Sequence, residues 1–181
     1  MSSNINFDVV WRPFQLNPNI PVEGIDRKEY LKKKFGSQKN AKSIYDQIEE
    51  VGLKNNIFFQ FEKIKKTPNT FMSHKLLALA HKFKIQTLVL EDLFYAFFIE
   101  GIDIGNKNEL IKIAKRHKIL NDKTYEYLDS DEDKANLLKE QEQANNFNIK
   151  GVPCFIINKK FVLFGAQNSS NFLSLFEKII K

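Results

Sequence analysis

A lone cysteine, Cys154, directly follows Pro153 in the stretch GVPCFIINKKFVLFGAQ, residues 151–167. Thiol chemistry is the first reaction this suggests. A thiolate attacks a disulfide sulfur, and a second thiol resolves the mixed disulfide. With one cysteine the chain closes no internal disulfide and holds no Cys-x-x-Cys pair. A reactive thiol needs an electropositive, partly open site, whereas a cysteine among Phe and Ile packs as a small apolar residue. Cys154 is therefore expected to be a strand residue, and no catalytic residue for thiol exchange is assigned within the chain.

The other chemistry-bearing sets are weaker. Asp129, Asp131, Asp133 and Glu140 fall on the first, third, fifth and twelfth positions of a calcium-loop count. The sixth position, which that loop needs as glycine, is Lys134, and the sequence continues as helix. His74 and His81 are seven residues apart, where a helical zinc pair prefers four, and no third ligand accompanies them. No metal is expected. Phe94, Tyr95, Phe97 and Phe98 read either as helix core or as the apolar wall of a peptide groove.

The elements that would position these residues follow from periodicity and punctuation. Residues 5–14, INFDVVWRPF, alternate and stop at Pro13, which predicts a strand. A loop with Pro18, Pro21 and Gly24 follows. Asp26 caps a helix that Gly36 ends, and a second helix runs to about Gly52. NNIFFQFEKI is β-like, a short strand or an extended linker. Helices then start after Pro68, capped by Asn69 or Thr70, at Gln86, at Asn106, and at Ser130 with Asp133. The period changes at CFIIN and FVLFG, joined by Lys159 and Lys160 as a hairpin. Ser169 or Ser170 opens a last amphipathic helix.

This order, strand, long helical region, hairpin, helix, predicts an α/β core interrupted by a helical insertion. The 17 phenylalanines and 43% hydrophobic content are enough to fill a core. The net charge of +6 is carried mostly by lysines on helical faces, without zinc-finger spacing or an RNA-binding strand signature. Nucleic acid is not expected as a partner. The N-terminus has no signal-peptide pattern, and LFYAFFIEGI is too short to span a bilayer, so a cytoplasmic, non-membrane protein is expected.

A proline at the mouth of an inner strand is unusual, since it donates nothing to the ladder. It is used either in trans at the strand start or in a cis bond that leaves the preceding backbone open to an extended peptide. The segment GVPCFIINKKFVLFGAQ resembles the cis-proline strand and hairpin of the DsbA-like thioredoxin superfamily. VVWRPFQLNPNIPVEG, TPNTFMSHKLLALA and LFYAFFIEGIDIGN match in order, most closely the FrnE-type predicted dithiol–disulfide isomerases. These are relatives of 2-hydroxychromene-2-carboxylate isomerase and kappa glutathione transferase.

The resemblance implies a thioredoxin-like core from residues 1–24 and 150–181, with residues 25–149 as an inserted helical domain. It implies that Gly151, Val152 and Pro153 hold a substrate polypeptide, with Asn69, Thr70 and His74 lining the same cleft. Simple helix capping is the alternative for Asn69. The family pattern also has a first core strand, a Cys-x-x-Cys motif and a helix ahead of INFDVVWRPF. Here only Met1 to Asn4 stand there, so the catalytic pair belongs upstream of Met1. That strand is missing, and both its neighbours are left with unpaired edges. An N-terminally shortened sequence is the expected reason.

The implied activity is thiol–disulfide oxidoreductase or isomerase on disulfide-containing or unfolded polypeptides, without a cofactor. The alternatives are a glutathione-dependent isomerase and a redox-inactive peptide-binding module. A homo-oligomer is compatible with all three.

Overall fold

A computed structural model describes residues 6–180. Met1, the point ahead of which the thiol motif is expected, lies outside the described residues, as do residues 2–5. The fold contains eight α-helices and four short strands among the described residues. Strands β1 (Ile25–Asp26) and β2 (Lys66–Thr67) pair antiparallel, with Ile25 opposite Thr67. They close the base of a helical hairpin, α1 (Arg27–Phe35) and α2 (Gln38–Lys54). The Asp26 carboxylate accepts from the backbone N–H groups of Lys28 and Glu29 and so caps α1. Gly36 ends it at φ 79°, a left-handed conformation that glycine adopts without a Cβ clash.

The helices that follow are α3 (Phe71–Lys82), α4 (Gln86–Phe98), α5 (Lys107–Arg116), α6 (Asp122–Asp129) and α7 (Lys134–Asn146). Leu76, Ala80, Val89, Leu93, Ala96, Leu110, Ile113 and Ala114 interlock between α3, α4 and α5. Every fully buried apolar side chain among the described residues lies between Ile20 and Leu137. The core therefore sits in the helical region. The C-terminal unit consists of β3 (Cys154–Ile157), β4 (Phe161–Phe164) and α8 (Ser169–Ile180). α8 covers one face of the hairpin, with the Phe172 ring 4.9 Å from that of Phe155.

Four sequence expectations change. No strand forms over residues 6–15, although the segment runs without turn or bend through Gln15; Ile5 lies outside the described residues. The alternation is real, but no described strand lies alongside to complete a ladder. NNIFFQFEKI forms a 3₁₀ turn at Phe61–Lys63, because its rings stack on a neighbour (Tyr45 on Phe61, 4.4 Å) instead of alternating across a sheet. Helix α6 is an addition to the sequence reading. Its signal is the reciprocal cap between Asn121 and Thr124. Ser130 ends α6 instead of opening α7, its hydroxyl donating to the Tyr127 carbonyl at 2.8 Å.

Candidate functional site

The hairpin supplies the open strand edge that the chain pattern points to. β3 and β4 pair from Cys154 opposite Phe164 to Ile157 opposite Phe161. Asn158 and Lys159, at φ 52° and 57°, form the turn, and the Lys160 N–H donates to the Ile157 carbonyl at 3.1 Å. At the other end the Gly165 N–H donates to the Pro153 carbonyl at 2.8 Å. Backbone groups alternate sides along a strand. Pro153 and Ile157 face β4, so the N–H and C=O groups of Cys154 and Ile156 face the free edge.

Gly151, Val152 and Pro153 lead into that edge. The Val152–Pro153 peptide is cis. Val152 is 52% exposed, and a Cβ on Gly151 would meet nothing within 4 Å. Among the described residues this is an accessible, unpaired stretch beside unsatisfied strand groups, the surface an extended peptide pairs with. Cys154 is half-buried, and that burial pushes its thiol pKa up. It stays a thiol at neutral pH and is a poor nucleophile.

The face of the hairpin opposite α8 carries Cys154, Ile156, Val162 and Phe164, which alternation places together. Ile156, Val162 and Phe164 are 52%, 46% and 58% exposed. An apolar sheet face of this kind is normally covered.

Asn69, Thr70 and His74 form a second cluster at the start of α3. The Asn69 side-chain oxygen accepts from the Phe71 N–H at 2.9 Å and from the Gln15 amide at 3.3 Å. Its amide donates to the Ile20 carbonyl at 2.6 Å. Asn69 thus both caps α3 and ties down the loop of residues 15–20. Thr70 Oγ1 lies 3.5 Å from His74 Nε2. Desolvation takes the His74 pKa from 6.5 down to about 4, opposed by a hydrogen bond with the Phe14 backbone. His74 is neutral at pH 7. No hydrogen bond among the described residues joins this cluster to Gly151–Pro153.

His74 does line a cleft of about 440 Å³ between Val10–Pro13, α3 and α7. Its charged groups are largely matched. Arg12 pairs with Glu140 at 2.6 Å, and Lys82 with Asp133 at 2.8 Å. The acidic stretch is likewise neutralised, Asp129 by Lys107 and Asp131 by Lys134. Among the described residues no group of side chains is arranged to hold a metal.

Sequence reasoning missed Gln86 and Lys75. Gln86 Oε1 accepts from the Trp11 N–H and Gln86 Nε2 donates to the Trp11 carbonyl, both at 3.0 Å. Lys75, 2% exposed, donates to the Tyr127 carbonyl at 2.6 Å and the Leu128 carbonyl at 3.3 Å. Neither residue stands in a pattern that would mark it.

The family model of the DSBA-like thioredoxin domain matches residues 2–177. The chain belongs to the DSBA-like thioredoxin domain family. A crystal structure of a probable DsbA oxidoreductase from Streptomyces coelicolor superposes with a TM-score of 0.80 at 21% identity, covering 92% of this chain and 73% of that one. That likeness establishes the fold, a DsbA-like thioredoxin fold with a helical insertion. No curated protein matches the chain. No described helix is long and apolar enough to cross a membrane.

Proposed function

We propose that this DSBA-like chain forms the substrate-holding half of a thiol–disulfide oxidoreductase or isomerase, of the FrnE type. Family membership supports the reaction class. The free β3 edge beside the exposed Gly151–Val152–Pro153 stretch carries the reading. An extended polypeptide with a disulfide pairs with the Cys154 and Ile156 backbone groups. Its sulfur is thereby presented above the bare face of the hairpin. A thiolate attacks that sulfur, the substrate S–S bond breaks, and a mixed disulfide forms as the leaving sulfur departs as thiolate. A second thiol then attacks the mixed disulfide and closes a new one.

These 181 residues hold one cysteine, so both exchanging thiols come from elsewhere. In this reading they arrive on a strand–helix unit outside these 181 residues. Its helix covers Ile156, Val162 and Phe164 and leaves the β3 edge to the substrate. A helix N-terminus at that place lowers the pKa of a thiol carried on it. The raised pKa of Cys154 favours a packing role for that residue. His74 and the Asn69–Thr70 pair brace the helical wall of the cleft.

Protein purified from its native cells is the material for the test, with reduction of insulin disulfides by added thiol as the assay. The expected result is turnover that falls at least about tenfold when a bulky charge is placed at the loop, Val152→Arg. The 181 residues alone give none. Native material without turnover, yet still binding extended peptide, would replace the enzyme reading with the peptide-binding module.

A further inference from the structure

Among the described residues, the segment ahead of Pro13 is bonded on one edge only, and by a side chain. The primary amide of Gln86, 8% exposed at the start of α4, offers an N–H and a C=O side by side. It exchanges both with Trp11, at 3.0 Å each, as a residue of a neighbouring strand would. Its Nε2 also donates to the Leu77 carbonyl on α3 at 3.3 Å, which fixes the amide plane from behind. Trp11 Nε1 donates to Thr87 Oγ1 at 2.9 Å, one residue further along α4. Beyond Trp11 the chain is held by α7, through Arg12 to Glu140 and through the Gln15 N–H to Gln141 Oε1 at 2.6 Å.

In an extended chain the N–H and C=O of one residue share a side, and the next residue's point the other way. Trp11 faces Gln86, so Asp8, Val10 and Arg12 present their backbone groups to the opposite edge. None of those groups is hydrogen-bonded among the described residues. A sheet edge left open on both sides invites pairing on either. We propose that Gln86 is a positioning residue. Its side-chain amide stands in for an outer strand and closes that edge, so that a pairing strand is admitted only along Asp8, Val10 and Arg12. This holds whether or not the arriving strand carries a dithiol.

Amide hydrogen exchange in the full chain reads this directly. In the unaltered protein the Trp11 amide is expected to exchange slowly, while those of Asp8, Val10 and Arg12 exchange fast. In Gln86→Met, similar in length but unable to pair, the Trp11 amide speeds up about tenfold or more while α3 and α4 keep their protection. Thr87→Val, which removes only the indole bond, leaves the Trp11 amide slow. Equal exchange at Trp11 and its neighbours in the unaltered protein would overturn the proposal. So would an unchanged Trp11 amide in Gln86→Met, or a rise shared equally by α3 and α4, which marks a general packing role.

Discussion

His74 makes a pH prediction at the scale of one residue. Its folded-state pKa of about 4 lies below the ordinary 6.5, so between these values the unfolded chain binds more protons. The stability that neutral His74 contributes is present above pH 6.5 and is lost as the pH falls towards 4. A depression of this size corresponds to roughly 3 kcal/mol. Urea midpoints at pH 7 and pH 4.5 should therefore differ, and His74→Gln should remove a large part of the difference. Lys75 makes a second prediction. Its ammonium is desolvated but closes the carbonyl end of α6 at Tyr127, Leu128 and Ser130. Lys75→Met leaves the Leu128 and Ser130 carbonyls without this donor, while Tyr127 keeps the Ser130 hydroxyl, and should cost about 2–4 kcal/mol in a denaturant titration.

At the scale of elements, caps and turns are the readable features. Asp26 at α1, Asn106 at α5 and the CFIIN–FVLFG hairpin all form where side-chain chemistry announces them. What fails depends on neighbours. The alternation of residues 5–14 gives a strand only if another strand lies alongside, and a single sequence does not say what does. α6 escapes notice because its cap, Asn121 with Thr124, lacks the acidic third residue of the commoner box. The turn after α4 carries an element-scale prediction. Gly101 sits at φ 73°, and a Cβ there would lie 2.6 Å from the Lys63 backbone. Gly101→Ala should destabilise by about 1–3 kcal/mol through the joint between α4 and the 3₁₀ turn, read as a lower thermal midpoint.

The site is half legible. Gly151–Pro153 stands out because proline at a strand mouth is rare, and the hairpin around it forms as expected. Asn69, Thr70 and His74 also cluster, but their bonds run to the loop of residues 14–20. Gln86 and Lys75 are invisible, since a glutamine or lysine in a helix normally reads as surface. Only the packing of distant segments turns them inward.

Across the whole molecule the apolar mass is unevenly covered. The core between α3, α4 and α5 is closed, with Leu76, Ala80, Val89 and Leu110 fully buried, while Phe58, Leu88, Phe94 and Phe147 stay exposed at its periphery and the hairpin has one bare face. Exposed apolar surface of this kind binds hydrophobic dyes and promotes association. Ile156→Thr with Val162→Thr should lower dye binding by the 181-residue chain and leave the helical circular-dichroism melt unchanged. An unaltered dye signal would place the uncovered surface elsewhere.

Amide exchange at the free edge of β3, with and without an extended, disulfide-containing peptide, tests the substrate-holding role most directly. The predicted result is that the Cys154 and Ile156 amides, open in the free chain, gain protection when the peptide is added. Phe155 and Ile157, on the β4 side, are protected throughout. Protection that appears only on the helices, or none at all at Cys154 and Ile156, would contradict a substrate-holding edge at Gly151–Pro153.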